Sequence, residues 1–219
     1  MAHLMATTRD KPAGIPVFPP HADPDGPCVL ARLWADEPHR REVAWPDGFA
    51  GGIAHRLDIS TSGALAVADD PDELAWLRAR FAQRDLIKRY RFLAAKDVPW
   101  DDNTCTRPIG HDKRRKGRVV VQRGANTPHR GKWRDAHTTF RRVEGRLWEA
   151  VIITGVMHQI RAHAAFLGLS LLGDRRYGGG PTPADAPTGV TFFLHHVGMY
   201  TRDGGFSTTP VPYPSWAQT

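Results

Sequence analysis

The sequence predicts an α+β fold, a mixed and mainly antiparallel sheet with a few helices, in one domain over residues 11–219 after a tail of residues 1–10. Three observations predict it. Short apolar segments alternate with period two, as in KRYRFLAA at 88–95. Two pairs of such segments are joined by tight, glycine-containing turns, the mark of hairpins and so of antiparallel pairing. Only two stretches carry the spacing of an amphipathic helix. Hairpins outnumber helical crossovers, which argues against an alternating parallel design.

The elements follow in chain order. IAHRLD and GALAVA (53–58 and 63–68) read as extended pieces around a polar turn, the second one buried. Asp70 is placed to cap a helix, with Pro71 in its first turn and Asp72 and Glu73 favoured by the helix dipole. Leu74, Leu77 and Phe81 continue it, so the spacing predicts a helix from Pro71 to about Gln83. In KRYRFLAA, Tyr90, Phe92 and Ala94 share one face and Arg89 and Arg91 the other. GRVVVQ is a further strand, and TTFRRV and LWEAVIIT form a hairpin through Glu144-Gly145. MHQIRAHAAFLG is the second helix, ending at Gly168 as a C-cap. TFFLHHVGMY and FSTTPVP make another hairpin around Asp203-Gly204-Gly205.

At 219 residues, 41% hydrophobic and 24% charged, the composition is that of a soluble globular protein. It contains neither a run long enough to span a bilayer nor the apolar centre of a signal peptide, so no membrane partner is expected. Cys28 and Cys105 stand far apart without ligand spacing, which suits a reducing cytoplasm. The net charge of +7 is localised: residues 107–142 hold twelve Lys/Arg and two Asp, a balance of +10, while the remainder sums to −3. A solvated face would explain a charge run. Against a slightly acidic remainder, however, this one points to a phosphate backbone.

Eleven histidines do not make a metal site. His158 and His163 are five apart on a helix, and the adjacent His195 and His196 face opposite sides of a strand. No metal or other cofactor is expected.

HRLDISTSG at 55–63 resembles the HRLDxxTSG signature of RluA-type pseudouridine synthases. KPAGIPV (11–17), KRYRFLA (88–94), RPIG (107–110), HQIRAHAAFLGLSLLGDRRYGG (158–179) and FLHH (193–196) are similar to that family's other segments, in the family's order. The resemblance implies the pseudouridine synthase catalytic fold and an isomerase that converts specific uridines of structured RNA, ribosomal or transfer, without a cofactor. It assigns catalysis to Asp58, a carboxylate facing the ribose as nucleophile or base. Taken alone, an aspartate before Ser60 and Thr61 reads as the cap of a turn, and it is the matching residues around it that reverse this reading. The resemblance makes Arg161 the cation that holds Asp58 negative, since a carboxylate in a closed pocket otherwise tends to take up a proton. Tyr90 would stack on the uracil, and Leu194 would line its pocket. Arg56 reads either as a phosphate contact or as the residue filling the space of an extruded base. His55 is assigned to supporting the turn.

Three departures stand out. Val156 and Met157 replace an arginine and a capping threonine in the family's G-R-T-H-Q-I-R, and His196 replaces an alanine. The ten residues before KPAG leave no room for the S4 module that many relatives carry. RNA binding is therefore expected to fall on the basic segment 107–142 of a monomer. Two alternatives are an RNA-binding chaperone on the same fold and a uracil-releasing glycosidase. The glycosidase lacks an obvious second carboxylate.

Overall fold

The structure, a computed structural model, describes residues 4–218. Its elements are β1 (Leu4–Ala6), β2 (Thr8–Lys11), α1 (Val29–Asp36), β3 (Ser62–Ala66), α2 (Pro71–Ala82) and β4 (Leu86–Leu93). They continue with β5 (Asp102–Cys105), β6 (Ile109–Asp112), β7 (Val119–Val121), β8 (His129–Arg134), β9 (Thr138–Glu144) and β10 (Leu147–Ile152). Helix α3 (Gln159–Phe166) precedes β11 (Leu194–Thr201) and β12 (Phe206–Thr208). The fold is mixed α+β with mainly antiparallel pairing, as the sequence predicts. No described helix is long and apolar enough to cross a membrane.

Contacts divide the chain into two compact units. The first holds the described residues up to Lys88 with Pro187–Val190 and His195–Pro214; the second holds Arg89–Ala186, Thr191–Leu194 and the residues from Ser215 on.

In the first unit, β2 pairs antiparallel with β3, and β3 runs parallel to β11. Strand β11 pairs antiparallel with β12, which takes β1 in parallel. Leu4–Ala6 and residues 8–10, in the tail by sequence, thus run as strands. Thr8–Lys11 is too polar to show strand periodicity, and its position comes from backbone pairing with β3. Strand β3 is buried on both faces. Leu65 and Val67 pack with Val29, Leu30 and Leu33 of α1, and Ala66 and Ala68 pack with Leu74 and Leu77 of α2. That explains why GALAVA reads as continuously apolar rather than alternating. Gly63, at φ +111°, lets β3 approach β11, because a Cβ there would lie 2.1 Å from the His196 carbonyl oxygen. Asp70 caps α2, accepting from the Glu73 N–H at 2.8 Å.

In the second unit, β4, β10, β9 and β5 lie side by side, and β7, β6 and β8 form a separate sheet. The β9–β10 hairpin turns through Gly145 and Arg146, one residue beyond the expected Glu144-Gly145, with Glu144 paired to Leu147. Tyr90 and Phe92 fill the buried face of β4 as the alternation predicts, Ala94 just beyond the strand is buried on the same side, and Phe92 lies edge-on to Phe140. Helix α3 ends as expected at Gly168 (φ +80°). The Gly168 N–H bonds the Ala165 carbonyl and the Leu169 N–H bonds that of Ala164, the paired bonds of a Schellman motif.

His55 and His196 lie inside the first unit, rings edge-to-face at 5.5 Å. His55 Nε2 accepts from the Ala66 N–H, and His196 Nδ1 bonds the Ala64 carbonyl. Burial, reinforced for His55 by His196 and Lys88 and for His196 by Lys88 and His195, pushes His55 well below the usual histidine range and His196 down to about 3. Below pH 6.5 the unfolded chain therefore binds protons that the folded chain refuses, so stability declines as pH falls from about 6.5. Urea unfolding between pH 6.5 and 5 is expected to show a slope approaching about 1.4 kcal/mol per pH unit per histidine. His196→Ala should remove about half of it.

Candidate active site

The turn carrying Asp58 is held by a buried lysine. Lys11, fully buried at the end of β2, donates from Nζ to the carbonyls of Pro12 (3.0 Å), Ile59 (2.9 Å) and Thr61 (2.7 Å). The Gly14 N–H also bonds the Ile59 carbonyl, and the Thr61 N–H closes a turn onto that of Asp58. KPAG and HRLDIST, separate motifs in the sequence, are thus one structural object. Burial pulls the Lys11 ammonium down to about 8, partly offset by the negative charge of Asp58. Asp58 is half-buried, and its neighbour Ile59 is 54% exposed. Arg56 is exposed, its guanidinium 5.9 Å from the Phe18 ring centroid. His55 turns inward, away from solvent chemistry.

The second unit holds Tyr90, Leu194 and Arg161, all buried. Arg161 makes a bidentate pair with Asp174: Nε to Oδ2 at 2.7 Å and Nη2 to Oδ1 at 2.9 Å, with both side chains almost wholly buried. Its guanidinium lies 4.1 Å from the Phe192 ring and 5.0 Å from the Tyr177 ring. The GDRRYGG loop fixes the backbone of this aspartate, because the Tyr177 and Gly179 N–H groups both bond the Asp174 main-chain carbonyl. Tyr177 is fixed in turn. Its hydroxyl accepts from the Val119 N–H and bonds His158 Nδ1, and burial raises it to about 12.

Lys11 and Asp174 are the site residues that sequence reasoning missed. A signal for Asp174 existed: an arginine on an otherwise apolar helix needs a carboxylate to be buried. The expectation assigned that need to Asp58 alone. Leu194 is 5% exposed and Tyr90 7%.

The basic segment supplies β6, β7, β8 and their loops. Lys113–Lys116, Arg123, Arg130, Lys132 and Arg134 are exposed. Arg142 is taken up inside the fold, bonding Asp101, Asp97 and the carbonyls of Val98, Trp100 and Gly145 over the Trp148 ring. Val156 and Met157 line a cavity of about 190 Å³ together with His111, Lys132 and Arg134.

Asp174→Ala leaves the Arg161 guanidinium buried without this partner. We expect a loss of about 3–5 kcal/mol in urea unfolding, while Asp174→Asn, which keeps hydrogen-bond acceptance, should lose less.

The model of the family described as RNA pseudouridylate synthase matches residues 8–166 of the chain, a stretch that includes Lys11, Asp58, Tyr90 and Arg161. A Xanthomonas campestris protein named ribosomal large subunit pseudouridine synthase D is 33% identical over 174 residues, 78% of this chain and 48% of that one. A Synechocystis protein named an uncharacterized RNA pseudouridine synthase is 30% identical over 216 residues, 94% of this chain and 62% of its own. The chain spans about half the length of several curated relatives it matches. The solved human RNA pseudouridylate synthase domain containing 1 shares the fold, with a TM-score of 0.69 at 21% identity over 95% of this chain and 79% of that one. With the family's match running through the Lys11-pinned turn of Asp58 and into the helix of Arg161, the chain belongs to the RluA-type family of RNA pseudouridylate synthases.

Proposed function

We propose that this chain isomerises specific uridines of structured RNA, ribosomal or transfer, to pseudouridine, using Asp58 as its catalytic carboxylate. The observation that carries this reading is the Lys11-pinned turn. A carboxylate on a loop whose carbonyls are fixed by a buried ammonium is preorganised, as a nucleophile or base must be. The relative named for the large ribosomal subunit makes ribosomal RNA the first substrate to try.

The reaction breaks the C1′–N1 bond, forms C1′–C5, releases the C5 proton and returns a proton to N1, so the RNA keeps its mass. Asp58 attacks C1′ or removes a ribose proton, and Arg161 supplies positive charge to the same reaction. Tyr90 stacks on the uracil, Leu194 lines its pocket, and Arg56 takes the place of the extruded base or holds a phosphate. The exposed cations of 107–142 grip the RNA backbone, which makes binding steeply salt-dependent. Cys28 and Cys105, buried and unpaired with each other, suit a reducing compartment.

Two outcomes test this reading. RNA tritiated at uridine C5 should release label with the wild type, and Asp58→Asn should lower the rate at least about a thousandfold with RNA affinity within about twofold. No release from any cellular RNA would sink the proposal, and equal affinity of both proteins would then favour the chaperone; free uracil would favour the glycosidase. The second outcome is a pH profile. A neutral Lys11 amine has two N–H groups for three carbonyls and no charge beside Asp58, so kcat should fall as pH rises through about 8. Lys11→Met should give a lower rate that no longer has this alkaline limb.

A further inference from the structure

The second unit contains a cavity of about 540 Å³, within the roughly 300–1,000 Å³ of small-molecule sites. It opens between β7, the loops on either side of it, and α3. Its floor is apolar: Val119, Val121 and Ala162 are buried, and Ala165 and Phe166 are partly exposed. Its lining carries four arginines, Arg114, Arg115, Arg118 and Arg123, and one acid, Asp112.

That acid is already engaged. Asp112 Oδ1 accepts from the Arg114 and Arg115 N–H groups at 2.8 and 3.2 Å, and Oδ2 lies 3.9 Å from Arg118 Nε. On the opposite loop, Thr127 Oγ1 accepts from the Arg123 and Gly124 N–H groups at 2.9 and 3.1 Å and donates to the Gly124 carbonyl. Both loops are therefore fixed by side-chain-to-backbone bonds, and the two polar side chains that fix them face their own loops. The arginines present positive charge with little to offset it. Arg118 also lies 5.2 Å from the Tyr177 ring, which closes the floor.

A phosphate alone would satisfy the arginines and leave the floor wet. A purely apolar ligand would leave four guanidinium groups at its edge. We propose that this cavity is a second nucleotide site, taking one unstacked nucleotide of the substrate RNA other than the uridine that is isomerised. The base lies against Ala165, Phe166 and the β7 valines, and its flanking phosphates meet Arg114, Arg115 and Arg123. With the loop side chains saturated, contact is by surface and charge rather than by base-edge hydrogen bonds. The site therefore tolerates any base and selects for a strand that is unpaired at that position. The proposal rests on the synthase reading for its RNA, but nucleotide binding itself needs no turnover.

The full chain with 13C-labelled methyl groups is titrated with adenosine 3′,5′-bisphosphate, inorganic phosphate and a phosphoserine peptide. The bisphosphate should shift the Val120, Val121 and Ala165 methyls with half-saturation below about 1 mM, at concentrations where phosphate and peptide leave them in place. Unmoved methyls overturn the proposal. So does an equal response to phosphate, which would mean an anion site only, or a stronger response to the peptide. With tritiated RNA, Ala165→Trp, which fills the cavity, and the loop double variant Arg114→Ala/Arg115→Ala should each raise KM about tenfold with kcat within about twofold. An unchanged KM in both counts against the site. Bisphosphate binding without tritium release would reject the synthase reading and keep the site; turnover without bisphosphate binding would reject the site alone.

Discussion

An ammonium group without exposed surface must meet each of its three protons with an acceptor or pay the full cost of desolvation, and Lys11 meets them with three backbone carbonyls. Two of those carbonyls belong to the HRLDIST turn. The strand that ends at Lys11 therefore cannot form its pairing with β3 without also fixing the loop on which Asp58 sits. Carbonyls are the fitting acceptors here. A carboxylate partner would compete with Asp58 for the charge, whereas dipoles leave the ammonium's field to act on it, as the opposing influences on Lys11 show.

The same constraint recurs wherever a cation is buried. Arg161 is met by both oxygens of Asp174. Arg40, 3% exposed, reaches Glu37, Asp69 and the carbonyls of Gly51 and Ala68, tying the loops around the end of β3. Arg142 gathers the 97–101 loop around the β9–β10 turn. Removing one partner of such a group costs more than a surface ion pair contributes, because the remaining charge stays out of water. These arginines act as fasteners for irregular segments that apolar packing cannot hold.

Local rules made much of the fold legible. Asp70 caps α2, Gly168 ends α3, and both hairpins turn at or within one residue of the expected glycine-containing stretches, because each depends on neighbours within a few residues. What the sequence hid depends on distant partners. Thr8–Lys11 is a strand only because β3 lies beside it. Asp174 gives no local sign that it belongs to Arg161, thirteen residues back. His196, which replaces the family's alanine, is fully buried in the first unit against His55 and the Ala64 carbonyl. The resemblance located the motifs; it could not supply the contacts that bind KPAG to HRLDIST or Asp174 to Arg161.

The exchange of arginine and threonine for Val156 and Met157 acquires a physical meaning from α3. Losing a threonine there suggests a helix start without a cap, and His158, in the left-handed region at φ 53°, makes no side-chain cap. Gln159 compensates. Its Oε1 accepts from the Val156 N–H and the Thr154 hydroxyl, and its Nε2 donates to the His137 carbonyl and to Thr138. The loop entering the helix is thereby fastened to β9 by a residue that the departure leaves in place, so the frame around Arg161 does not depend on the missing threonine. The change is felt at the surface instead. Met157 is 39% exposed, and Val156 shares a small cavity with Lys132 and Arg134. An apolar pair set among cations in place of a further cation and a hydroxyl trades charge for contact area. How Arg161 is held by Asp174 is left intact.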